Sequence, residues 1–103
     1  MTPTYDQARQ LGKAYVGALN TGIEAYSALF ASGARVRVDG SPSDLHGVLE
    51  VTPPGRSGFR GARLDGDHVL YTVRVRDRAA ESVEDRVHRI AYDDDGRVAS
   101  LDA

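Results

Sequence analysis

A chain of 103 residues suits one domain spanning 1–103 with one modest core, since a chain of this size buries roughly two-thirds of its extended surface on folding. Its 13 basic and 15 acidic side chains are interspersed and leave a net charge of −2, which argues against the basic face of a nucleic-acid binder; with no cysteine, disulfides and thiolate metal sites are excluded. No apolar run approaches the ~20 residues of a membrane span and the N-terminal stretch lacks an apolar signal-peptide region, so a soluble cytoplasmic protein with no membrane partner is expected.

Thr4 and Gln7 have the spacing of a capping box, which starts a first helix near Thr4. Ala8, Leu11, Tyr15, Ala18 and Leu19 recur at three and four residues and form one face of it. Gly12 and Gly17 each cost about 1 kcal/mol relative to Ala inside a helix. They either let the helix lie close against a sheet or are simply tolerated. Asn20-Thr21-Gly22 ends this helix. Thr21 and Glu24 form a second capping pair, and a second helix carries Ile23, Tyr26, Leu29 and Phe30 before stopping at Ser32-Gly33. The two make a helical hairpin.

From Ala34 the period changes to two. Ala34, Val36 and Val38 alternate with Arg35, Arg37 and Asp39, the pattern of a half-buried strand. Gly40 to Asp44 is a turn, Val48 to Thr52 reads as a short strand, and Pro53 to Gly58 is a loop. A β-meander follows: a strand over Phe59 to Leu64, a hairpin at Asp65-Gly66, a strand over His68 to Arg76, a turn over Asp77 to Glu81, a long strand over Ser82 to Tyr92, an acidic turn at Asp93 to Gly96, and a last strand over Arg97 to Asp102. The acidic turn lacks the calcium-loop ligand pattern and reads as solvated.

Along the long strand, Glu84, Arg86, His88, Ile90 and Tyr92 share one face, and Ile90 with Tyr92 marks it as inward. An imidazole there suits acid–base work near neutral pH, or it is a core histidine with one hydrogen bond. Tyr15 on the first helix has a hydroxyl able to polarise a carbonyl, or it is a core tyrosine bonded to backbone. Phe30, Val36, Val38, Tyr71, Val73 and Ile90 line the same apolar space, as core side chains or, where a void remains between them, as ligand contacts. His46 either gates an entrance or is an exposed loop residue, and the three histidines lack metal-ligand spacing, so no metal site is expected. Arg56, Arg60 and Arg63 flank glycines and either hold an anion or are solvated.

Two stretches, YVGALNTG with ALFASGARV and RIAYDDDGRVASLDA, resemble the helical hairpin with first strand and the final hairpin of ketosteroid isomerases. With the meander they make most of the chain similar to the nuclear transport factor 2-like superfamily, which includes those isomerases and the SnoaL-like polyketide cyclases. The resemblance implies an α+β cone-shaped roll, two N-terminal helices packed on a curved antiparallel sheet. It also implies cofactor-free acid–base chemistry on an apolar carbonyl-bearing metabolite: isomerisation, cyclisation or dehydration. Tyr15 then falls on the oxyanion-hole tyrosine and His88 on the protonated aspartate beside it. The general-base position falls on Val38, and its neighbour Asp39 reaches the interior only through a bulge. The interval from Val48 to Gly58 is shorter than the family's further helical segment, so a wall of the cone is expected to be missing. A homodimer would then cover it through the outer sheet face, with Leu70, Thr72, Val87 and Ala91 as contacts. The alternative is a non-catalytic ligand-binding or dimerisation module of the same fold. A closed apolar cavity holding Tyr15 and His88 favours the enzyme; a filled core favours the module.

Overall fold

In the computed structural model, residues 2–77, 79 and 81–103 are described. Helix α1 (Tyr5–Thr21) opens with the expected capping box: Gln7 N–H donates to Thr4 Oγ1 at 3.2 Å, and Thr4 N–H donates to Gln7 Oε1 at 2.9 Å. Helix α2 (Ile23–Ser27) lacks the second capping pair. Its N-cap is Gly22, and Thr21 instead donates its hydroxyl to the Gly17 carbonyl at 2.8 Å. α2 is also shorter than its apolar spacing predicts. Strand β1 (Phe30–Val38) begins at Phe30 because the Leu29 carbonyl accepts from Val98 N–H at 2.8 Å and draws the chain into the sheet. The expected helix stop at Ser32-Gly33 lies inside β1, where the register shifts between Phe30 and Arg35.

Strand β2 (Ser41–Pro42) pairs with the end of β1 within the segment expected as a turn. Helix α3 (Leu45–Val51) replaces the strand expected over Val48 to Thr52. Leu45, Val48, Leu49 and Thr52 stand at helical spacing, and the Asp44 carboxylate accepts from Gly47 N–H at 2.9 Å, an N-cap that overrides the β-branched content. The interval before the meander is thus short but does contain a helical segment.

The meander consists of β3 (Ser57–Asp65), β4 (His68–Asp77), β5 (Ser82–Tyr92) and β6 (Val98–Asp102). Of the turn expected between β4 and β5, Arg78 and Ala80 lie outside the described residues. In the β5–β6 turn the Asp93 carboxylate accepts from the Asp95 and Arg97 backbone N–H groups, both at 2.9 Å. The sheet order is β2-β1-β6-β5-β4-β3, antiparallel except that β1 runs parallel to β6.

The fold is therefore α+β, with three helices against a six-stranded curved, unclosed sheet. α1 crosses β3 and β4. A Cβ on Gly12 would stand 2.5 Å from Tyr71 Cε1 and 2.6 Å from Phe59 Cε1, so the close approach of helix and sheet requires glycine there. At Gly17 nothing lies within 4 Å, and that glycine is tolerated rather than required. No helix among the described residues is long and apolar enough to cross a membrane.

Candidate functional site

The inward faces of β4 and β5 alternate as their sequences dictate. Val69, Tyr71 and Val73 on β4, and His88 and Ile90 on β5, are fully or almost fully buried. α1 lays Tyr15 across them, with its ring 5.9 Å from that of Tyr71 and 5.6 Å from the His88 imidazole. The Tyr15 hydroxyl lies 2.7 Å from His88 Nδ1 and 2.6 Å from the Tyr26 hydroxyl, making one buried chain Tyr26–Tyr15–His88. A second chain lies beside it: Tyr71 donates to the Ala8 carbonyl at 2.7 Å and accepts from the Tyr92 hydroxyl at 2.9 Å.

These environments fix the protonation states. Burial, with a smaller contribution from the Arg86 charge, pushes the His88 pKa down to about 4, so the imidazole is neutral at pH 7. Burial raises the pKa of Tyr15, Tyr26 and Tyr92, and of Tyr71 by less, so all four remain hydroxyls. The cluster is a set of neutral hydrogen-bonding groups. A base with a pKa near 4 is weak at neutral pH, so what the arrangement does best is hold or polarise an oxygen.

His88 Nε2 has no hydrogen-bond partner among the described residues. Either tautomer leaves it so, because Nδ1 is committed to Tyr15. One inward position earlier on β5, Arg86 Nε is also buried without a partner. The Arg86 side chain is 14% exposed, with Nη2 2.9 Å from Asp39 Oδ1 and Nη1 3.6 Å from Glu84 Oε1. It forms part of the wall of an open cleft of about 280 Å³ at the end of the sheet where β4 leads into β5, with Val51, Pro53 and Val75 as apolar walls and Glu50, Asp77 and Glu84 as acidic ones.

The structure thus brings Tyr15 and His88 together but not Asp39. Asp39 has a left-handed backbone with φ of 51°, its side chain is 74% exposed, and it pairs with Arg86 at the rim. No bulge turns it inward. Tyr71, Val73 and Ile90 are buried core, while Phe30, Val36 and Val38 are half-buried and packed against it. Tyr15 and His88 have 1% and 0% exposure, so the space around them is filled by side chains. Tyr26, read in the sequence only as one of the positions that the second helix carries, completes the hydroxyl chain; its place on the same helical face as Leu29 and Phe30 is the available signal. Arg86 shares the inward register with His88, which was the signal for it. Asn20, read as a helix end, pairs with the backbone of Ser57, accepting from its N–H at 3.0 Å and donating to its carbonyl at 2.7 Å.

No protein-family model matches the chain, and no curated protein does. Among solved structures, a SnoaL-like protein of unknown function from Burkholderia thailandensis superposes with a TM-score of 0.73 at 17% identity, covering 99% of this chain and 96% of that one. A putative polyketide cyclase from Sinorhizobium meliloti gives 0.69 at 20% identity, with 90% and 92% covered. A de novo designed protein of the nuclear transport factor 2 fold gives 0.68 at 12% identity, with 100% and 87% covered. At these identities the likeness concerns the fold, and the chain folds as a nuclear transport factor 2-like cone.

Proposed function

We propose that the chain binds, without a cofactor, a largely apolar small molecule bearing a carbonyl or carboxylate oxygen, at the cleft walled by Arg86. The observation that carries this is the pair of buried, unpartnered nitrogens on successive inward positions of β5, Arg86 Nε and His88 Nε2. A buried polar group without a partner costs about 1–3 kcal/mol, and a ligand oxygen accepting from it removes that cost. Arg86 lines the cleft, and His88 stands two residues farther along the same inward face of β5. The acidic partners of Arg86, Asp39 and Glu84, are 74% and 68% exposed, so the carboxylate side of both pairs is open to solvent and to exchange for a ligand oxygen. Val51, Pro53 and Val75 supply the apolar wall for the rest of the ligand.

A second reading, cofactor-free catalysis of the isomerase, cyclase or dehydratase type, is favoured by the direct bond between Tyr15 and His88 and by the likeness to the putative polyketide cyclase. The filled core around both residues and the outward Asp39 place it behind the binding reading. In either reading the outer sheet face, with Val83 and Val87 more than half exposed, is proposed as a homodimer contact.

Native mass spectrometry of the protein from its own host tests the binding reading: a retained small molecule is expected, held at least ~10-fold less tightly by Arg86→Gln and by His88→Gln in chains that still show the native circular dichroism. A bare chain that also gains no thermal stability from any carbonyl- or carboxylate-bearing compound overturns it. If the protein is an enzyme, Tyr15→Phe lowers turnover by about 10²–10³ in chains that remain folded, in addition to the roughly 1–3 kcal/mol of stability lost by leaving His88 Nδ1 without its partner.

A further inference from the structure

Arg74 and Arg76 stand two residues apart on β4 and so share its outer side, opposite the buried Val73 and Val75. β3 opposes Gly58 to Arg74, and Arg76 N–H donates to the Arg56 carbonyl at 3.0 Å, which puts Arg56 on that side too. The register then slips between Phe59 and Gly61, leaving Arg60 as the extra residue of a bulge at the sheet edge. The four arginines surround a cleft of about 460 Å³, floored by Gly55 and Gly58 and lined by no acidic residue.

Arg74 is held by Asp85, donating from Nε at 2.8 Å and from Nη2 at 3.1 Å. Arg56 and Arg76 form no ion pair with a carboxylate among the described residues, and Arg60 forms none either, although its charge reaches the Asp85 carboxylate that Arg74 holds. Arg56 and Arg76 also border the neighbouring cleft, where Glu50, Asp77 and Glu84 stand, but none of those three lines the arginine cleft. A chain with a net charge of −2 therefore concentrates four cations against a single carboxylate, Asp85, at one place.

We infer that this cleft binds a small molecule carrying a multiply charged oxyanion, a polyphosphate or polycarboxylate group. Guanidinium forks match the oxygens of both chemistries bidentately, and an anion among them replaces mutual repulsion with attraction. The volume falls within the ~300–1,000 Å³ of small-molecule sites and exceeds what one inorganic ion fills. Gly58 keeps the floor clear of a side chain. The site lies on the opposite side of the sheet from Tyr15 and His88; it shares Arg56 and Arg76 with the neighbouring cleft walled by Arg86 and stands on the face proposed above as a dimer contact.

Calorimetric titration of the full chain with pyrophosphate and with citrate, at low and at physiological ionic strength, tests it. Saturable binding at one site per chain is expected, weakened by salt. The Arg56→Gln/Arg60→Gln double variant should bind at least ~10-fold less tightly, with Arg60→Gln alone as the readable variant should the pair not fold. Arg35→Gln/Arg37→Gln on β1 should bind as the unaltered chain does. Tighter pyrophosphate assigns the ligand to phosphorylated compounds, and tighter citrate to polycarboxylates. Absence of saturation with both, or equal loss in the β1 variant, overturns the site.

Discussion

His88 is neutral when folded and free to protonate when unfolded, which ties stability to pH. Its folded pKa of about 4 lies below the ordinary histidine value of about 6.5. The unfolded chain therefore binds the proton first as pH falls. The stabilisation is complete above about pH 6.5 and is lost progressively towards pH 4, by about 3 kcal/mol. His88→Gln keeps a hydrogen-bonding group for Tyr15 but removes the titration. Thermal melts of both proteins from pH 7 to pH 4 should show the unaltered chain losing the more stability, and parallel curves would contradict the burial argument. At this scale the sequence was legible where a period decided matters: alternation along β5 puts His88 inward, and the helical face puts Tyr15 there. What it did not show were partners brought together across the fold. The Tyr15–Tyr26 bond depends on the angle between two helices, and the bond to His88 on how α1 crosses the sheet. Asp39 stays outside for a local reason: alternation along β1 already points it away from the interior, and its left-handed backbone ends the strand without the bulge that would turn it in.

Helix α1 carries a sharper test, because two glycines on one helix should respond oppositely to the same change. At Gly12→Ala the added methyl meets the Tyr71 and Phe59 rings well inside contact distance, and overpacking of this kind costs about 1–3 kcal/mol. Improved helix propensity offsets about 1 kcal/mol of that, so the net effect is destabilising. Gly17→Ala meets nothing and should stabilise by roughly 0.5–1 kcal/mol. Chemical denaturation of both variants checks the pair, and a stabilised Gly12→Ala would mean that α1 sits farther from the sheet. The strands of the meander were legible to within a few residues, because turn residues punctuate them. α3 was not. Its valines favoured a strand, and the decisive Asp44 cap is indistinguishable in sequence from a turn residue until the Leu45, Val48, Leu49 and Thr52 face is counted.

For the whole molecule, the α+β cone was legible from the change of period at Ala34 and the hairpin signals after Gly58. The parallel neighbour of β1 was not, since no local signal encodes which strand lies beside it. The proposed homodimer belongs at this scale. Val83, Val87, Leu70 and Ala91 lie on the outer face among Arg74, Arg76 and Arg89, so association through it brings like charges together. Sedimentation velocity at micromolar concentration should show a dimer that strengthens when salt screens those charges, and Val87→Glu should yield a monomer. A monomer at all salt concentrations would rule the contact out.

The parallel pairing of β1 with β6 also sets a timetable. The first strand of the sheet to be synthesised finds its long neighbour only in the last, and until then β2 alone pairs with it in the sheet. At about 5–20 residues per second that wait lasts several seconds on the ribosome. Closing so long an intervening segment also makes the β1–β6 seam a late event in refolding. The period of greatest exposure to aggregation is therefore the one in which all of the meander but its final strand has been made.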